Sequence, residues 1–93
     1  MKLLVIQRQV IEIIQKQCAD SGVPRRTQPI TAETAIREEL AYDSIMLVVL
    51  QIEIEDRFRF RFNPAEEDFL QIFSTVGALC ASIQRHIDIH DEI

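Results

Sequence analysis

Leu40-Ala41-Tyr42-Asp43-Ser44-Ile45-Met46-Leu47 is the stretch in which a loop becomes a helix. An acid stands directly before a serine, and a long apolar run begins at the serine. From Ser44 to about Phe58 the spacing is helical. At about 100° per residue, Leu47, Val48, Leu50, Ile54 and Phe58 share one face, and Ile45, Val49, Glu53 and Asp56 lie roughly opposite. A hydroxyl at the start of such a helix is exposed. It sits at the positive end of the helix dipole, beside backbone N–H groups that have no partner within the helix and suit a phosphate diester. Ser44 also reads as a plain N-cap, a position where serine is favoured for its own sake.

Outward from this stretch, the pattern stays helical. Leu3, Ile6, Val10, Ile13, Ile14 and Cys18 recur at spacings of three and four, which predicts a first helix from Lys2 to about Cys18. Asp20-Ser21-Gly22-Val23-Pro24 ends it. A loop of about twenty residues follows, of a length often tied to function. Ile30, Ile36 and Leu40 are expected to pin it to the core, with a helical turn from Ala35 to Leu40. After the Ser44 helix, Pro64 and the acids behind it predict a short helix from Ala65 to Ile72. Ser74 or Thr75 then caps a last helix in which Val76, Leu79, Cys80, Ile83 and Ile87 repeat at three and four. The expected architecture is all-α, a small four-helix bundle with a long loop between helices one and two and a short third helix, forming one domain over residues 1–93.

Composition excludes other classes. Apolar residues make up 47% and charged residues 27% of 93, as in an ordinary globular domain with a modest core. Two glycines and three prolines are too few for a disordered or collagen-like chain. The net charge of −5 disfavours non-specific nucleic-acid binding and favours partners with basic patches. Met1 to Ile6 begins like a secretion signal, but Gln7, Arg8, Gln9 and Glu12 interrupt the apolar run, and no stretch is long enough to span a membrane. Cys18 and Cys80 fall on apolar helical faces and read as buried free thiols, in keeping with a cytoplasmic protein.

The Asp43-Ser44-Ile45 core resembles the phosphopantetheine attachment site of acyl carrier proteins, whose usual pattern is Leu-Gly-x-Asp-Ser-Leu or Ile. The resemblance covers nearly the whole chain. Ile52 to Phe58 is similar to the acidic end of that family's second helix, Phe60 to Phe62 with Glu66 and Glu67 to its link into helix three, and Phe73-Ser74-Thr75-Val76 to the opening of its helix four. The resemblance implies a non-catalytic carrier of free-standing type. Ser44 would take phosphopantetheine from coenzyme A through a phosphopantetheinyl transferase, with Asp43 supporting. The distal thiol would then hold an acyl or aminoacyl cargo as a thioester and pass it among a loading enzyme and downstream synthases. A monomer without nucleic-acid or membrane partners is expected.

Departures from the family pattern narrow this reading. Fatty-acid carriers usually bear acids two and five residues after the serine, where Met46 and Val49 stand here. Ile45, Met46, Val49, Glu53 and Asp56 form the candidate partner face. The pattern looks more like carriers of polyketide or nonribosomal-peptide pathways; a fatty-acid carrier, or a helical adaptor without a prosthetic group, is the alternative. Ala41 replaces the usual glycine, and alanine resists backbone shapes that glycine accepts.

Arg57-Phe58-Arg59-Phe60-Arg61-Phe62 alternates with period two, as a strand or a basic-aromatic nucleic-acid patch would. It reads better as three rings plugging the core with the arginines solvated and Arg57 paired to Glu53. Gln51 falls on the apolar side of its helix, where it either bonds a loop carbonyl or marks the edge of the core. His86 and His90 share a helical face, but no third ligand accompanies them, so no metal is expected.

Overall fold

The computed structural model describes residues 2–20, 29–63 and 65–91, and the described part is helical. Five helices follow in order: α1 (Leu3–Asp20), α2 (Ile36–Glu39), α3 (Ser44–Phe58), α4 (Phe69–Ile72) and α5 (Val76–Asp91). The three long ones form the frame, with α1 packed on both α3 and α5, and α4 against α5. The apolar stripes meet in one core. Ile6, Val10 and Ile14 of α1, Leu50 and Ile54 of α3, and Val76, Leu79 and Ile83 of α5 are completely buried. Each contributes roughly 1.5–3 kcal/mol of hydrophobic stabilisation.

The long loop is pinned as its sequence suggested. Ile36 and Leu40 are buried, and Ile30 packs against the core from a half-buried position. The loop also stitches itself to the start of α5. Ala35 and Thr75 form an isolated antiparallel bridge. Around it, Ile36 N–H donates to the Ser74 carbonyl, Val76 N–H to Thr34 and Gly77 N–H to Ala32, the last at 2.8 Å. Two of the N–H groups that a helix start leaves without intrahelical partners are thereby satisfied by the loop. Thr75 is the cap, its Oγ1 accepting from Ala78 N–H, while Ser74 Oγ donates to the Gln71 carbonyl.

The predicted helix from Ala65 to Ile72 is shorter than expected. Only Phe69–Ile72 is helical. Asn63 begins a separate turn: its carbonyl accepts from the N–H groups of Glu66 and Glu67, and its Oδ1 accepts from Ala65 N–H. Asp68 then takes an extended conformation, and its carboxylate accepts from Leu70 N–H, which restarts the helix four residues late. Such short side chains compete with helical hydrogen bonding, so two capping residues divide one expected helix. The Pro64 part of the expectation lies outside the described residues.

The ring plug is present. Phe58, Phe60 and Phe62 are buried, and Arg57, Arg59 and Arg61 are exposed. Phe60 and Phe62 meet edge to face at 4.8 Å, and Phe62 contacts Phe73 and Phe69. The connection after α3 is held inward by Phe62 N–H donating to Glu55 Oε2 at 2.9 Å. Arg59 adopts the left-handed conformation that ends α3. The expected Arg57–Glu53 pair does not form among the described residues.

Candidate functional site

The approach to Ser44 alternates inward and outward. Leu40 and Tyr42 are buried, while Ala41, Asp43 and Ser44 are exposed. Between its two anchors Ala41 has a φ of +55°, in the left-handed region where glycine is at ease and alanine is not. Tyr42 is tied further: its hydroxyl donates to Gln17 Oε1 on α1, at 2.8 Å. Burial, and then the neighbouring Cys18, push the Tyr42 hydroxyl well above the usual phenol range, so it remains a neutral donor.

Asp43, and not Ser44, caps α3. Its backbone is extended, its Oδ1 accepts from Met46 N–H at 2.8 Å, and its carbonyl accepts from Leu47 N–H. The plain N-cap reading of Ser44 is therefore excluded. Ser44 is the first helical residue, exposed, and its hydroxyl makes no hydrogen bond among the described residues. The backbone N–H groups of Ser44 and Ile45 are also without acceptors. A phosphodiester attached at this point needs a reachable hydroxyl and donors for its oxygens. Both are there, so the residues fit a phosphopantetheine group.

The partner face differs in part from the sequence reading. Ile45 is 75% exposed and Val49 is exposed, as expected, and so are Glu53 and Asp56. Met46 is half-buried and packs against the core, so it offers only part of itself to a partner. Val48, expected inside, is 54% exposed. It lies about 100° around the helix from Leu47, too far from the buried line of Leu50, Ile54 and Phe58 to be covered. Ile52, which sequence reasoning did not place on the partner face, is 58% exposed. Ile45, Val48, Val49 and Ile52 thus form one outward apolar stripe at helical spacing directly behind Ser44. The signal was present in the sequence: α3 is apolar on nearly every side, more than one neighbouring helix can cover.

The remaining candidates are structural. Gln51 is half-buried at the edge of the core, and its side chain makes no hydrogen bond among the described residues. Cys80 is a buried free thiol, and Cys18 is half-buried beside Tyr42. His86 stacks on Phe60 at 4.5 Å, and its Nε2 lies 2.7 Å from Glu67 Oε1, fastening the 63–68 turn to α5. The His90 side chain lies outside the described residues, and among the described residues no cluster could hold a metal ion. A hollow of about 760 Å³ opens beside α4 and α5, lined by Asn63, Glu66, Gln71, Arg85 and neighbours, none from residues 40–52.

The model of the phosphopantetheine attachment site family matches residues 8–83, most of the chain, with all of α3, most of α1 and the first half of α5. The chain belongs to that family. It is a phosphopantetheine-carrying carrier protein, and its prosthetic group is covalently attached. A search of curated proteins gives no match. No helix of the carrier, among its described residues, is long and apolar enough to cross a membrane.

Proposed function

We infer that Ser44 is the attachment residue, and that the carrier serves a polyketide or nonribosomal-peptide type of pathway rather than general fatty-acid synthesis. One observation carries the first part. Asp43 takes over the cap, which leaves the Ser44 hydroxyl with no structural duty at the open, positive end of α3. In the transferase complex, Ser44 Oγ would give up its proton to a base of the transferase and attack the pantetheine-bearing phosphorus of the coenzyme A pyrophosphate. An O–P bond forms to the serine, the bond within the pyrophosphate breaks, and the nucleotide 3′,5′-bisphosphate leaves. The free N–H groups of Ser44 and Ile45 face the charge this places on the helix end. Asp43 orients both by holding the first turn through Met46. Once bound, the group supplies a flexible arm whose thiol keeps a cargo carbonyl electrophilic as a thioester. The chain has no catalytic part in these steps. It is the transferase's substrate and later a shuttle.

Support for the pathway is the apolar stripe Ile45, Val48, Val49 and Ile52, flanked by Glu53 and Asp56. A docking enzyme for this face presents an apolar groove with basic groups at one edge, not a purely basic patch. The partners are a transferase, a loading enzyme and downstream synthases. Intact-mass measurement after incubation with coenzyme A and a promiscuous phosphopantetheinyl transferase tests the attachment. One phosphopantetheine is expected on the wild type and none on Ser44→Ala, whose fold is retained because the cap is Asp43. Modification of Ser44→Ala, or none of the wild type with several transferases, overturns the assignment.

A further inference from the structure

We propose that Tyr42 is a positioning residue for the attachment serine, acting through its hydrogen bond to Gln17 at the end of α1. The inference rests on Ser44 being the attachment residue. The observations concern how the serine turn is held. Only four residues, 40–43, separate α2 from α3. Ala41 within them is left-handed, so the turn carries a local cost and holds only because its surroundings over-determine it. Leu40 and Tyr42 are the two buried anchors on either side of Ala41. The Leu40 side chain is held by apolar contact, which is non-directional. Tyr42 adds a directional bond of 2.8 Å to a residue 25 positions earlier, on the longest helix of the frame. Ser44 is two residues further on, so this bond refers its position to α1.

The Gln17 side chain makes no other hydrogen bond among the described residues. Its Nε2 is buried without a partner. A buried amide that satisfies only its carbonyl is an expensive arrangement for a residue of structural use alone. Its sole polar task is to receive the Tyr42 hydroxyl. Tyr42 itself is 4% exposed, so a docking transferase does not touch it. Any effect of its hydroxyl on modification passes through the turn. Loss of the bond lowers the fraction of carrier whose serine turn is set for docking. The apparent affinity for the transferase falls by that fraction, while kcat, measured on the docked complex, is unchanged.

The test uses the whole chain, a promiscuous phosphopantetheinyl transferase and coenzyme A, with initial rates followed by intact mass. Tyr42→Phe keeps the ring and removes the hydroxyl. Its KM for the carrier should rise roughly two- to tenfold, the range spanned by one neutral hydrogen bond, with kcat unchanged. Gln17→Ala should raise KM by no more than Tyr42→Phe, which also loses the contact with Cys18, and the double variant no more than Tyr42→Phe alone. Ile6→Val, a core change on α1 three helical turns from Gln17, supplies a variant of reduced unfolding midpoint and should keep the wild-type KM. Amide exchange at Met46 and Leu47, whose N–H groups bond Asp43, should quicken in Tyr42→Phe relative to Ile54 and Ile83. The proposal is overturned if Tyr42→Phe is modified with the wild-type KM, or if Ile6→Val shows the same rise. It also falls if the two single effects add in full. Failure of the wild type to accept the group at all is a separate result and removes the attachment reading instead.

Discussion

Replacing Ala41 with glycine should stabilise the carrier, because Ala41 sits at a φ of +55°. An L-residue in the left-handed region costs about 1–2 kcal/mol, and glycine relieves that. Against it, glycine gives the unfolded chain more freedom, a loss of about 0.4–1 kcal/mol. Ala41 is exposed, so no buried methyl contact is lost. The balance is a gain of about 0.5–1 kcal/mol. For a chain of 93 residues the transition entropy is about 0.2 kcal/mol/K, so the midpoint should rise by about 3–5 °C. Thermal melting by circular dichroism reads the shift. A urea titration should show a higher midpoint with unchanged slope, because the surface exposed on unfolding is the same. A midpoint equal to or below that of the wild type refutes the reasoning: it would mean that the turn between Leu40 and Tyr42 does not hold Ala41 in the strained region.

Gly77 tests the loop's seat on α5. A Cβ there would stand 3.0 Å from the Ala32 carbonyl oxygen, which already accepts the Gly77 N–H at 2.8 Å. Gly77→Ala should therefore fail to deliver the gain of about 1 kcal/mol that alanine gives at an ordinary helical position, and equilibrium unfolding that shows the full gain would contradict the close approach. The Cys80 thiol is pushed by burial up to about 11, so the native state keeps its proton while the unfolded chain loses it near pH 9. Stability should fall between about pH 9 and 11 with a slope of up to about 1.4 kcal/mol per pH unit from this group, with Tyr42 adding to the fall above pH 10; Cys80→Ala should flatten the first part, and an unchanged slope would remove the thiol as its cause. On the docking face, Val49→Glu with Ile52→Glu should weaken the complex with the loading enzyme more than tenfold, at low and high salt alike, and shift the stability of the free carrier by less than about 1 kcal/mol. Wild-type affinity in that double variant would place docking elsewhere.

Much of the molecule is written in local pattern. The spacings of three and four in α1 and α5 name their own buried residues, because a long helix with a single apolar stripe has one way to face a core. The helix start at Ser44 was legible from Asp43 and the apolar run behind it. The burial of Phe58, Phe60 and Phe62 with their arginines outside follows from alternation at a helix end. What needed the tertiary structure is what depends on a neighbour. α3 is apolar nearly all round: its periodicity already turned Ile45 and Val49 outward, but how wide a strip α1 covers depends on packing, which left Val48 and Ile52 outside as well. The choice of cap between Asp43 and Ser44 rests on the direction of two short side chains, and the structure gives it to Asp43. The division of the expected third helix comes from competing caps at Asn63 and Asp68. The bond between Tyr42 and Gln17 joins positions 25 apart, a distance at which no residue pattern carries information and only the folded chain brings the two together.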